Sequence, residues 1–124
     1  MIWVVTNNQE TRQSLIPLIS SRGYTGAELP CGDDVLRSLR FQVPSLFVID
    51  CGMPGSFETL AAIRSQPRAR SIPVVMFSDA DANHRDRALL QGANAFVSKG
   101  SLDWDDLLVE ILRFAGPSPK PPPA

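Results

Sequence analysis

Residues 46–55, LFVIDCGMPG, contain the clearest strand pattern of the chain. Its first four residues are apolar, the fifth is the acid Asp50, and a turn rich in Gly and Pro follows. An apolar run without alternation is typical of a strand that is buried on both faces, as in a parallel sheet. The sequence therefore predicts a carboxylate at the carboxyl end of a buried strand, where the chain leaves the core.

Similar apolar runs recur along the chain, and segments with helical periodicity separate them. One run alternates more than the others, which favours an edge strand. Strand and helix alternate five times with connections long enough for crossovers, and this predicts a single doubly wound α/β domain with five parallel strands and helices on both faces. The other predicted strands are residues 2–5, 24–29 (the edge strand), 72–77 and 95–97.

Each helical segment carries an apolar stripe that we expect to face the core. The stripe of the last segment is the longest, and that of residues 81–91 is the thinnest. The predicted core-facing residues are Thr11, Leu15, Leu18 and Ile19; Val35, Leu36, Leu39 and Val43; Phe57, Leu60 and Ala61; Ala88 and Leu89; and Trp104, Leu107, Leu108, Ile111, Leu112 and Ala115.

Length and composition indicate one domain with its own hydrophobic core, since the chain has 124 residues of which 44% are hydrophobic. We assign residues 1–115 to this domain and residues 116–124, GPSPKPPPA, to a Pro-rich tail or linker in extended conformation. Cys31 and Cys51 lack the spacing of a disulfide framework or a metal site, and we expect two reduced thiols.

The charge balance provides no field that would attract nucleic acid, because the formal net charge is only -1. The chain starts without a basic signal region, and no 18-residue apolar stretch follows. We therefore expect a cytoplasmic protein that binds neither nucleic acid nor membrane through this domain.

Chemically useful side chains occupy the predicted ends of several strands. Thr6 and Asn7 follow the first strand, Asp50 ends the third, and Ser78 and Lys99 end the fourth and fifth. The carboxyl ends of parallel strands form the functional crevice of such sheets. A carboxylate nucleophile with hydroxyl and ammonium donors suits a phosphoryl group. Two simpler hypotheses remain, a structural Asp50–Lys99 salt bridge and a Ser78 that only caps the next turn.

The chain resembles the receiver domain of two-component response regulators over residues 1–115. Four pieces carry the resemblance, in order and at the right separations: IWVVTN, LFVIDCGMPG, IPVVMFSDAD and ANAFVSKG. The resemblance implies a flavodoxin-like sheet of order 2-1-3-4-5. It implies that Asp50 accepts a phosphoryl group from a sensor histidine kinase or phosphotransfer protein, and that Ser78 and Lys99 bind phosphoryl oxygens. It also implies that the aromatic Phe96 is the switch residue, while the apolar strand around Phe96 leaves a simple core role open.

The resemblance also implies partners and a limited chemistry. A downstream protein would bind the fourth helix, fifth strand and fifth helix, and homodimerisation stays open. The chain would not be an enzyme beyond self-catalysed phosphotransfer to Asp50.

The chain departs from the family pattern at two places, the Mg²⁺ site and the loop after Lys99. Members of the family usually carry two adjacent acids after the first strand, which help to hold Mg²⁺, and here these positions are Thr6 and Asn7. The remaining ligands would be Asp50, the Asn7 amide oxygen and the Gly52 carbonyl, so we expect weak Mg²⁺ binding. Gly100 stands where the family usually has Pro.

Three other hypotheses compete with this interpretation. A pseudo-receiver would bind proteins without phosphorylation, and the missing acids favour it. A haloacid dehalogenase-type phosphatase needs an acid two residues after the nucleophile, where Gly52 stands. A flavodoxin-like carrier needs a loop rich in hydroxyls, and TNNQET offers only Thr6 and Thr11.

His84, the only histidine, is predicted to be solvated and without a role.

Overall fold

The computed structural model describes residues 1–78, 82–98 and 104–116. Strands and helices alternate along the chain, as the sequence predicted. The strands are β1 (Ile2–Val5), β2 (Gly26–Leu29), β3 (Leu46–Asp50), β4 (Val74–Ser78) and β5 (Ala95–Ser98), and the helices are α1 (Gln9–Ser21), α2 (Gly32–Ser38), α3 (Ser56–Ser65), α4 (Ala82–Leu90) and α5 (Asp105–Ala115).

The five strands form one parallel sheet in the order β2-β1-β3-β4-β5, which confirms the predicted fold class and strand order. β1 pairs with β3 so that Val5 lies opposite Ile49, and β3 pairs with β4 so that Asp50 lies opposite Phe77. This register brings the ends of β1, β3 and β4 together at one edge.

Side chains of the central strands alternate between two hydrophobic cores, one on each face of the sheet. Trp3, Phe47 and Met76 pack with α2 and α3 on one face. Val4 and Val48 pack with α1 and α5 on the other. Burial on both faces explains the continuous apolar runs, since neither set of alternate side chains meets water.

Most predicted core positions of the helices are buried, and three are wrong. Val43 is 43% exposed because α2 ends at Ser38 and Val43 belongs to the connection to β3. Ala61 is exposed, since it lies about 100° around the helix axis from the buried Leu60. Leu89 is 42% exposed, so α4 contacts the core chiefly through the adjacent Ala88, which is fully buried.

Three of the features predicted from the sequence fall partly or wholly on residues that the structure does not describe. Lys99 and Gly100 lie outside the described residues, as does the predicted tail beyond Gly116. Within the described ranges, no helix combines the length and the apolar character that a membrane crossing requires.

Candidate functional site

Asp50 is half-buried at the carboxyl end of β3, and hydrogen bonds hold both of its carboxylate oxygens. The backbone N–H of Gly52 donates to Oδ1 at 2.8 Å. The hydroxyl of Thr6 donates to Oδ2 at 2.8 Å. The carboxylate therefore has a defined orientation at the mouth of the sheet, and one of its two anchors comes from the neighbouring strand end.

Thr6 is fully buried, so its hydroxyl must hydrogen-bond to protein groups rather than to bulk water. The backbone N–H of Asn8 donates to Thr6 Oγ1 at 3.1 Å, so the single hydroxyl proton is directed to Asp50. The backbone of Thr6 is fixed as well, because its N–H donates to the Leu29 carbonyl at 3.1 Å. Sequence reasoning treated Thr6 only as a missing acid. The available signal was a hydroxyl at the strand end beside Asp50.

The residues that would hold Mg²⁺ do not fit a tight site. Asn7 is exposed, and the next residue, Asn8, caps α1 by accepting the Thr11 N–H at 3.0 Å. Among the described residues there is no cluster of three or more His, Cys, Asp or Glu that could hold a metal ion. Asp50 already receives two donors. Mg²⁺ in proteins is usually held through carboxylate oxygens, and among the described residues only Asp50 brings a carboxylate to the ends of β1, β3 and β4.

Ser78 ends β4 with 8% of its surface exposed, beside the end of β3. Asp50 pairs with Phe77, and the N–H of Cys51 donates to the Phe77 carbonyl at 2.8 Å, so Ser78 is the next residue along this edge. The structure thus brings Asp50 and Ser78 to neighbouring strand ends. Lys99, the third predicted partner, is among the residues that are not described.

His84 is half-buried and contacts the site, which contradicts the prediction of a solvated side chain. Its Nδ1 lies 3.4 Å from Ser78 Oγ. Its ring packs edge-on against Phe57, with 5.8 Å between centroids. The sequence showed only a histidine among charged residues, and its proximity to Ser78 depends on how α4 packs on α3.

Phe96 in β5 is 4% exposed and belongs to the core on the α2 and α3 face. Beside it, an open depression of about 400 Å³ lies between α4, β5 and α5. Charged side chains line it, including Arg85, Asp106 and Glu110, together with Val109, which is 61% exposed. This surface combines an apolar residue with charges of both signs.

Cys51, next to Asp50, is buried. Burial, and secondarily the nearby Asp50 charge, raises the pKa of its thiol to about 12. A thiol in this environment stays protonated at neutral pH, so Cys51 is a poor nucleophile and a poor redox sensor.

Comparisons with known proteins agree with the fold and with the sequence motifs. A family model described as response regulator receiver domain matches residues 2–112. The chain is 31% identical over 118 residues to the CAI-1 autoinducer sensor kinase/phosphatase CqsS of Vibrio cholerae, covering 91% of this chain and 17% of that protein. The chain thus spans about a sixth of the length of this relative.

Solved structures of the same fold are also similar. A response regulator receiver protein from Pseudomonas putida has a TM-score of 0.78 at 25% identity, covering 90% of this chain and 94% of that one. The chemotaxis response regulator CheY4 of Vibrio cholerae has a TM-score of 0.81 at 20% identity, covering 91% of this chain and 96% of that one. The chain belongs to the response regulator receiver domains, the signalling domains of two-component systems.

Proposed function

We propose that Asp50 is the phosphoacceptor of this receiver, and that its Mg²⁺ binding is weakened. The observation that supports it most is the half-buried carboxylate at the end of the central strand, oriented through both oxygens by Gly52 and Thr6. A carboxylate oxygen would attack the phosphorus of a phosphohistidine on a sensor kinase or phosphotransfer protein. The P–N bond breaks, the imidazole leaves, and an aspartyl phosphate forms.

Donors to the phosphoryl oxygens are the second requirement of this chemistry. Ser78 ends the strand beside β3, and Lys99 is the donor that the family resemblance adds. We keep both as proposed ligands, with Phe96 as the proposed switch residue. This transfer is the only reaction proposed for the chain, and it would take place in the cytoplasm, where phosphodonors of this kind act.

The metal site sets the expected rate of this transfer. A loss of about 2 to 3 kcal/mol of Mg²⁺ binding energy corresponds to a roughly 30- to 150-fold weaker affinity. Thr6 carries no charge, so its hydrogen bond to Asp50 does not replace a divalent cation. We therefore expect slow phosphorylation that needs high Mg²⁺ concentrations.

A second candidate function is a pseudo-receiver that binds proteins without phosphorylation. The Thr6–Asp50 hydrogen bond favours it, because a donor that already binds Oδ2 lowers the nucleophilicity of that oxygen. The depression between α4, β5 and α5 would be the docking surface for a downstream protein or a second copy of the chain.

One experiment separates the two candidates. The full chain is incubated with Mg²⁺ and acetyl phosphate, and the intact mass is compared for the starting protein, Asp50→Asn and Asn7→Asp. An adduct that Asp50→Asn abolishes supports the phosphoacceptor. An adduct that appears only in Asn7→Asp supports the pseudo-receiver, and one that survives in Asp50→Asn overturns the assignment of Asp50.

A further inference from the structure

The Ser78 hydroxyl lies 3.4 Å from Nδ1 of His84, a partner that the receiver site does not require. Ser78 is 8% exposed, so this contact is made where water has little access. The distance is long for a hydrogen bond, which makes the contact weak and easily exchanged for a better one.

Packing determines the place of the His84 ring. The ring lies edge-on to Phe57 of α3, which is 6% exposed. Arg87 places its guanidinium 4.1 Å from the centroid of the same Phe57 ring. His84, Arg87 and the buried Ala88 share one face of α4, at positions i, i+3 and i+4. The face that docks α4 on α3 is therefore the face that presents His84 to Ser78.

The hydrogen bonding between Ser78 and His84 depends on whether a phosphoryl group also binds Ser78. A serine hydroxyl has one proton, and if Nδ1 accepts that proton the hydroxyl cannot donate it elsewhere. If Nδ1 carries hydrogen instead, it donates to Ser78 and leaves the hydroxyl proton available. In the first case a phosphoryl oxygen that engages Ser78 takes the hydroxyl proton away from Nδ1. In the second case it accepts the proton of a hydroxyl that Nδ1–H already orients, and the contact with His84 persists.

We infer that His84 is a positioning residue for Ser78, and that it couples the occupancy of the Asp50 site to α4. The coupling half of this inference rests on the proposed function, since the group that competes for Ser78 is a phosphoryl oxygen at Asp50. The contact between His84 and Ser78 does not rest on it.

NMR of the full chain tests the contact directly, because the sequence contains one histidine and the imidazole signals therefore need no assignment. We expect Ser78→Ala to shift the ring nitrogen and carbon signals of His84. Ser98→Ala is the matched control, since Ser98 is exposed and lies opposite Ser78 in the β4–β5 register. Ring signals that move no more in Ser78→Ala than in Ser98→Ala would overturn the inference.

The coupling is tested with Mg²⁺ and beryllofluoride, a mimic of the phosphoryl group. We expect the His84 signals to shift on addition in the starting protein and to shift less in Ser78→Ala. A response of the Asp50 backbone amide without any response of His84 would overturn the coupling.

The two proposals fail in different ways. If no amide responds to beryllofluoride, even in Asn7→Asp, the phosphoacceptor proposal and the coupling fall together. The comparison of Ser78→Ala with Ser98→Ala still supports or overturns the positioning role, because it is made on the free protein.

Discussion

Thr6 and Asp50 are 44 residues apart in sequence, and the hydroxyl of one donates to the carboxylate of the other at 2.8 Å. The contact joins the end of β3, the middle strand of the sheet, to the end of its neighbour β1. It occupies the place where the resemblance implies metal-binding acids, so a neutral donor rather than an acid stands beside the proposed phosphoacceptor.

Thr6→Val is expected to lower the free energy of unfolding by about 1 to 3 kcal/mol, measured by urea denaturation. The change keeps the shape of the side chain, but it removes the donor to Asp50 and the acceptor of the Asn8 N–H. Ser65→Ala serves as the control, because its hydroxyl makes an exposed bond to Ala62. Equal stability of Thr6→Val and the starting protein would show that the buried bond contributes nothing.

Gly32→Ala is expected to destabilise the protein by about 1 to 3 kcal/mol, although alanine usually stabilises a helix relative to glycine. A Cβ on Gly32 would overlap Thr59 Oγ1, and this overlap would force α2 and α3 apart. The double variant Gly32→Ala/Thr59→Ala removes that atom and should recover most of the loss relative to Thr59→Ala alone. Additive losses in the double variant would contradict the steric explanation.

Arg64→Ala is expected to cost about 2 to 4 kcal/mol of unfolding free energy. The guanidinium donates to the carbonyl of Gly92 through Nε and Nη2, at 2.9 and 2.7 Å, and to that of Ile72 at 2.7 Å. It also donates to Asn94 Oδ1 at 2.9 Å. Burial lowers the pKa of this guanidinium, which still stays charged in proteins.

Arg64→Lys should recover little of this loss, because a single ammonium cannot reach the same set of acceptors. Arg113→Ala is the control, since its side chain is 70% exposed and contacts Glu110 of the preceding turn and the ring of the adjacent Phe114. Thermal or urea unfolding of the three variants measures these losses, which should be large for Arg64→Ala, nearly as large for Arg64→Lys and small for Arg113→Ala. Full recovery by lysine would show that charge alone stabilises this junction.

Stability is expected to fall as the pH rises from about 8.5 to about 12, because of Cys51. In this window the thiol of the unfolded chain loses its proton while the buried thiol keeps it. The unfolded state therefore binds fewer protons, and alkali favours it. Between pH 8 and pH 10 the unfolding free energy of the starting protein should fall by about 1 to 2 kcal/mol more than that of Cys51→Ala.

Much of the architecture was predictable from local pattern. The strands β1, β3 and β4 are buried on both faces, so their apolar runs are continuous and easily recognised. The sequence pattern predicted the core-facing residues of the helices less accurately at the ends of the periodic segments. Val43 continues the period of α2 but lies beyond its last turn, and a period in sequence does not show where a helix stops.

Residue type and order are enough to establish the alternation of strands and helices, the family, and the acid at the end of the third strand. They also show that Thr6 and Asn7 stand where acids would be expected. Side-chain partners were decided by the tertiary structure alone. The bond from Thr6 to Asp50 and the contact of His84 with Ser78 depend on strand register and on how α4 packs against α3, and no residue type specifies these by itself.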